Sequence, residues 1–326
     1  MMYVENNSMD PFYCFALEYY LLKEIDLESD FFLFWRTNPT IMIGKHQNTL
    51  AEINQDYVKE KQIQVVRRIT GGGTIYTDPA TWQFSFLIKN QPYNDINFAT
   101  YINPIMEAFS ELGIHSDFSS RNDILIKGKK VSGNAQYCDS KCTLHHGSIL
   151  FDTKLDELVK ALTVSEEKII SKGIKSVRER VTTITEHLNE KIDVLGFKKL
   201  MLHYLLQNID GTYELTPKDL QRVNEIADEK FRQWEWNYGK SPQFNIIRSQ
   251  RFEGGKVEFN INVNRGIIEQ CKIYGDFFSQ GDIEIVSRSL RGCPYKEENI
   301  RAALENICAE NYFYLISNED LVRCII

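Results

Sequence analysis

The stretch Arg67-Arg68-Ile69-Thr70-Gly71-Gly72-Gly73-Thr74-Ile75-Tyr76-Thr77-Asp78 decides how this chain is read. Two arginines lead into three consecutive glycines, after which a strand-like run resumes. Without a Cβ on three successive residues, the backbone reaches unusual φ/ψ values and lets a ligand approach its N–H groups closely. An arginine beside such a loop suits an anionic ligand, because its guanidinium offers fixed donors to phosphate or carboxylate oxygens. The same residues also fit a hairpin loop with two solvated arginines. No Lys-Ser/Thr follows as in a P-loop, and no Gly-x-Gly-x-x-Gly opens a helix, so a nucleotide bound here is held in some other way.

Working outward, residues 64–68 read as the strand entering the loop, behind a helical segment at 54–61 and strand-like runs at 31–35 and 41–43. Residues 12–23 read as an amphipathic helix with Phe12, Phe15, Ala16, Tyr19 and Leu22 on one stripe. Beyond the loop come a strand at 82–88, a helix at 98–112 closed by Gly113, and strands at 124–126 and 131–137 around the turn Lys127-Gly128-Lys129. A strand at 144–151 and helices at 155–162, 194–207 and 218–234 follow. Trp234–Pro242 carries the signals of a domain edge, where Gly and Pro interrupt regular structure. After it, 257–263 and 267–274 alternate as a two-stranded run, with helical patterns at 282–290, 296–307 and 319–325. The expected division is therefore residues 1–241 and a small α+β module at 242–326.

Two further constellations bear chemistry. Arg121-Asn122-Asp123 and Lys129-Lys130-Val131-Ser132-Gly133 face each other across a hairpin, which puts a carboxylate and an ammonium on adjacent strands. Asp123 suits Mg²⁺ on a nucleotide, and Lys130 suits charge developing on a phosphoryl centre. A surface hairpin with solvated lysines is the alternative. His145-His146-Gly147 is the second, and Cys138 and Cys142 lie close before it. Thiolates and imidazoles together hold zinc, but this spacing is not that of a standard knuckle.

With 326 residues, 43% hydrophobic and 25% charged, the chain has the composition of an ordinary soluble protein with room for two cores. A net charge of -7 argues against nucleic acid or an anionic membrane as the main partner. No apolar run approaches the ~18 residues of a membrane span. The first residues show no basic segment followed by an apolar core, and seven scattered cysteines fit reduced thiols. A cytoplasmic location is expected.

Taken together, Arg67-Arg68-x-x-Gly71-Gly72-Gly73-x-x-Tyr76-x-Asp78, Arg121-Asn122-Asp123, Lys130-Val131-Ser132-Gly133 and His145-His146-Gly147 resemble the lipoate–protein ligase A family in order and spacing. The likeness continues through Lys172-Gly173-Ile174-Lys175-Ser176-Val177-Arg178 and Trp234–Tyr238, so it covers essentially the whole chain. One departure is Thr77, where the family often has histidine. The resemblance implies an α/β (α+β) fold: a class II biotin/lipoate ligase-type catalytic domain with a central mixed sheet flanked by helices, then a small two-layer α+β accessory domain. It implies adenylation of lipoate by ATP with release of pyrophosphate. Transfer then follows to a lysine of an apo lipoyl domain, in a 2-oxoacid dehydrogenase E2 subunit or in the glycine-cleavage H protein.

Carried onto this chain, the nucleotide contacts fall on Arg68, Gly73, Thr74, Ile75 and Tyr76. Lys130 contacts both the acyl carboxyl and the α-phosphate, and Gly72 and His146 line the lipoate channel. Asn122 and Asp123 are the candidates for organising Mg²⁺, with Asp123 beside Lys130 in the catalytic pair. The competing readings are an ATP-independent lipoyl or octanoyl amidotransferase on the same fold, a biotin ligase, a catalytically silent lipoate-binding module, and a zinc protein built on Cys138, Cys142, His145 and His146.

Overall fold

The computed structural model describes residues 1–26, 29–89, 96–119, 122–139, 141–162, 177–238, 246–264 and 266–326. Within these, the strands are β1 (Met2–Val4), β2 (Phe31–Trp35), β3 (Thr40–Ile43), β4 (Gln64–Arg67), β5 (Ile75–Thr77), β6 (Thr81–Lys89), β7 (Asp117–Phe118), β8 (Asp123–Ile126), β9 (Lys129–Cys138), β10 (Cys142–Leu150), β11 (Gly211–Thr212), β12 (Ile246–Phe252), β13 (Gly255–Asn264) and β14 (Ile267–Gly275). They form three sheets, ordered β11-β1-β2-β6-β10-β9-β8-β7, β4-β3-β5 and β12-β13-β14. The first is mixed, with β1 parallel to β2 and β11 and the remaining pairs antiparallel.

The large sheet is covered on both faces. One face packs Phe32, Phe34, Phe84 and Phe86 against helices Ala99–Glu111 and Val194–Leu205. The other packs Phe31, Leu33 and Trp35 against helix α1 (Pro11–Lys23) and helix Pro217–Ile226. Helix α1 starts where its sequence says it should, with Pro11 at the first position and the Asp10 side chain accepting from Phe12 N. The expected apolar stripe does not describe it, because α1 is buried nearly all round, Glu18 included. It lies between the sheet and a second helical layer, so both of its sides face protein.

Strands β2, β6, β8, β9 and β10 and the helices around residues 99–111 and 194–205 follow the sequence expectations closely, whereas β1, β7 and β11 were not expected. The expected helix at 218–234 ends at Ile226, continues as one wide turn to Phe231, and gives way to a separate turn of helix at Trp234–Asn237. The C-terminal two-stranded run is corrected to three strands, because Ile246–Phe252 pairs along β13. This module has its own core, built on Phe259, Phe277, Ile300, Leu304 and Leu321. The expected division at 241/242 lies outside the described residues, as do Arg121 and 172–176.

Candidate active site

Between the glycine loop and strands β9 and β10 lies a cavity with an apolar wall and a polar rim. Its apolar wall is Phe15, Trp35, Met42 and Ala135. Its polar rim holds Arg68, Gly72, Gly73, Thr74, Asn122, Lys130, His146 and Ser148. The sequence thus brings most of its separated motifs to one place.

The two arginines are neither solvated nor open forks. Arg68 is 4% exposed and makes four hydrogen bonds to the protein itself. Nε donates to Thr70 Oγ1 (3.0 Å), Nη1 to Met42 O (2.9 Å), and Nη2 to Gly71 O (2.8 Å) and Gly73 O (2.7 Å). Burial, reinforced by Arg67, pulls its pKa down to about 9, and Glu18 partly opposes this. Arg67 ties the preceding loop in the same way, donating to the carbonyls of Gly44, Lys45 and Gln47, to Thr49 Oγ1, and to Trp236 O and Asn237 O. Both arginines therefore clamp loop backbone, and Arg68 reaches the cavity as its wall rather than as a free fork.

The three glycines answer to three different constraints. A Cβ on Gly71 would lie 2.4 Å from Phe277 O, on the C-terminal module. Gly72 has φ +88°, a conformation that costs an L residue roughly 1–2 kcal/mol, and its N–H donates to Phe277 O (3.0 Å). Gly73 meets only Asp276 Cβ at 3.7 Å. Among the described residues no acceptor faces the amides of Gly73 and Thr74. Thr74 donates its hydroxyl to Gln47 Oε1 (2.8 Å), and Ile75 lines the cavity. Tyr76 is buried in the core of the small sheet and does not line the cavity. Thr77 is fully buried against Thr37 Oγ1 (3.0 Å), and Asp78 caps the turn at Ala80–Thr81 and accepts from Lys154 N.

Lys130 and Asp123 do meet across the hairpin, with Nζ 2.7 Å from Oδ1 and both side chains partly exposed. A register shift after Ile124 sets Leu125 opposite Lys130 and Asp123 opposite Gly133. A Cβ on Gly133 would stand 2.6 Å from Lys130 Nζ, so that glycine clears the path of the lysine side chain. Asn122, which lines the cavity, donates Nδ2 to Asn134 O (2.6 Å).

Neighbouring residues of a strand point to opposite faces, and this separates the histidine pair. His145 is enclosed by Phe84, Phe86, Phe98 and Tyr101, and burial holds its pKa well below 6.5. His146 faces α1 and the cavity. A zinc centre on Cys138, Cys142, His145 and His146 is thereby excluded, and among the described residues no three such side chains converge on a metal position.

Three participants went unread in the sequence: the Gly44–Asn48 loop, Glu18 on α1, and Phe277-Phe278. Phe278 packs into the large-domain core against Phe98, with ring centres 5.1 Å apart. His46 stacks on Phe277 and meets Ser279 Oγ at 2.8 Å. The C-terminal module thus touches the glycine loop directly.

Residues 10–206 match the family model described as lipoyl protein ligase A/B catalytic domain, and residues 241–325 match bacterial lipoate protein ligase C-terminus. The chain is 39% identical to lipoate-protein ligase LplJ of Bacillus subtilis over 100% of both sequences. It is 39% identical to lipoate–protein ligase 1 of Staphylococcus aureus over 99% of both. Among solved structures it resembles P. falciparum LipL1 in complex with lipoate, at 25% identity and TM-score 0.77, covering 93% of this chain and 94% of that one. It also resembles the bipartite lipoate protein ligase of Thermoplasma acidophilum, at 26% identity and TM-score 0.64, covering 75% and 98%. The catalytic and C-terminal matches together span nearly the whole sequence, and the chain belongs to the lipoate–protein ligases.

Proposed function

We propose that the ligase chemistry of this chain runs in the cavity under Gly72–Thr74, with Lys130 as its central group. A carboxylate is a poor acyl donor, so the first half-reaction must activate it. A lipoate oxygen attacks the α-phosphorus of ATP, the bond to the β-phosphate breaks, and pyrophosphate leaves. In the second, a lysine amine attacks the acyl carbon, the amide forms, and AMP departs with the bridging oxygen. The observation that carries the reading is the convergence in one cavity of an apolar wall, the Lys130 ammonium and the two open amides of Gly73 and Thr74.

The residues take these parts. Phe15, Trp35, Met42, Gly72 and His146 receive the acyl chain. The amides of Gly73 and Thr74 and the backbone through Ile75 and Tyr76 receive phosphate and nucleoside, with Arg68 holding the loop carbonyls in register. Lys130 lies between the acyl carboxylate and the α-phosphate, where an ammonium stabilises charge as it builds on the transferring group. The hard oxygens of Asp123 and Asn122 fit Mg²⁺, which is usually held by one or two protein ligands together with substrate phosphates. When bound there it would neutralise phosphate charge. The acceptor in this reading is a lipoyl domain of a 2-oxoacid dehydrogenase E2 subunit or the glycine-cleavage H protein. Among the described residues no cysteine lines the cavity, which leaves a thiol-dependent acyl exchange without its nucleophile.

The test is lipoate-dependent ATP–pyrophosphate exchange, followed by mass measurement of a panel of apo acceptor domains. Exchange together with an acceptor gain of one lipoyl group supports the reading. Acyl transfer from a lipoylated donor without ATP would replace it with the amidotransferase, and binding of lipoate with neither reaction would leave a silent module.

A further inference from the structure

We propose that Glu18 is a positioning residue for this site: it fixes His146 as the Nδ1–H tautomer and, through Thr70, sets Arg68 and the glycine loop. Glu18 lies in the middle of α1 and is 1% exposed. A carboxylate buried this deeply is retained only with strong partners. It has two. Ser85 Oγ donates to Oε1 at 2.5 Å, and His146 Nδ1 lies 3.1 Å from Oε1 and 3.3 Å from Oε2. The other ring nitrogen, Nε2, lies 2.8 Å from Thr70 Oγ1.

The direction of every proton in this chain follows from its two ends. Indole and guanidinium groups donate and never accept. Trp35 Nε1 donates to Ser85 Oγ (2.9 Å), so the Ser85 proton goes on to Glu18. Arg68 Nε donates to Thr70 Oγ1, and the Glu18 carboxylate can only accept from Nδ1, so the Thr70 proton goes on to His146 Nε2. With Nε2 accepting, the ring proton is on Nδ1 and points at Glu18. Both branches end on the same carboxylate. Glu18, two side chains away, partly offsets the burial of the Arg68 guanidinium. Arg68 in turn holds Gly71 O and Gly73 O, and those carbonyls fix the shape of the loop that borders the cavity.

The kinetic half of the test rests on the ligase reading, and the spectroscopic half does not. In the full-length wild-type protein with ¹⁵N-labelled histidine, long-range ¹H–¹⁵N spectra should show His146 with a protonated Nδ1 and a bare Nε2. Glu18→Gln preserves shape. It removes the charge that faces His146 Nδ1, while its oxygen keeps the Ser85 hydroxyl. Lipoate-dependent exchange should then fall about tenfold to a hundredfold, the range seen when the group orienting a metal-ligating histidine is lost. Thr70→Val, which cuts the chain on its other side, should show the same kcat loss and serves if Glu18→Gln does not fold. A wild-type ring protonated on Nε2, or on both nitrogens, overturns the tautomer assignment. Wild-type turnover in a folded Glu18→Gln or Thr70→Val overturns the positioning role. Absence of lipoate-dependent exchange in the wild type overturns the ligase reading and leaves the tautomer assignment to the spectrum.

Discussion

Replacing Arg68 with lysine preserves a positive charge and removes the fork, which separates a loop clamp from a simple counter-charge to phosphate. The four hydrogen bonds of Arg68 leave from three different nitrogens and reach Thr70, Met42, Gly71 and Gly73. A lysine ammonium is a single nitrogen, so it can follow the Nη2 pair to Gly71 O and Gly73 O only by giving up Thr70 Oγ1 and Met42 O. Hydrogen bonds involving a charged group are worth roughly 1.5–3 kcal/mol each, so losing two removes about 3–6 kcal/mol. That is a large share of the roughly 5–15 kcal/mol that holds a typical domain. Urea denaturation of wild type and Arg68→Lys, with ATP affinity measured on the folded fraction, reads both quantities. The expected result is a midpoint lowered at unchanged slope, with ATP binding weakened alongside it. Stability within about 0.5 kcal/mol of wild type, the range of an uninvolved surface change, together with lost ATP affinity would mean that the guanidinium faces phosphate. The clamp would then be wrong.

Lys130→Ala should leave the fold intact and lower adenylation by about 10²–10³, the effect of removing one preorganised donor at developing charge, read as lipoyl-AMP formed per unit time. Gly72→Ala should cost roughly 1–2 kcal/mol from its φ of +88° alone, and more from the 3.0 Å approach of the new Cβ to Phe278, measured by thermal or urea unfolding. His46 is buried, and desolvation first, then Lys45 and Arg67, hold its pKa well below 6.5. The folded state therefore binds fewer protons than the unfolded one below that value. Stability should fall as pH drops from 7 toward 5, less steeply in His46→Asn. Removing residues 242–326 takes away the Phe277 carbonyl that accepts from Gly72 and the Phe278 ring packed on Phe98. Adenylation should consequently fall further than transfer from supplied lipoyl-AMP, and loss of transfer alone would make the module an acceptor dock.

Much of this was legible in the chain because its strongest signals are local. Three glycines in a row announced a close approach, and a turn at Lys127-Gly128 put Lys130 and Asp123 on adjacent strands, where the ion pair is found. The arginines were read by type rather than by circumstance. A sequence does not reveal that carbonyls of Gly71, Gly73 and Met42 already surround a guanidinium. Helix α1 was misjudged because amphipathicity assumes one wet side, whereas a second helical layer covers it. β12 escaped because it is an edge strand in which Ile247, Arg248, Ser249 and Arg251 are exposed on both faces, so its alternation is weak. Glu18 and Phe278 were invisible for a further reason. Their partners lie 128 and 180 positions away in the chain, at His146 and Phe98, and only folding brings them together.

The central claim is that the cavity joins a lipoate oxygen to the α-phosphorus of ATP before any amine arrives. Lipoate labelled with ¹⁸O in both carboxyl oxygens, incubated with ATP and an apo lipoyl domain, tests this atom by atom. If the chain adenylates its substrate, the AMP released carries one heavy oxygen, the new amide retains the other, and Lys130→Ala loses both products together. Unlabelled AMP, or heavy oxygen found in inorganic phosphate beside ADP, would contradict the account.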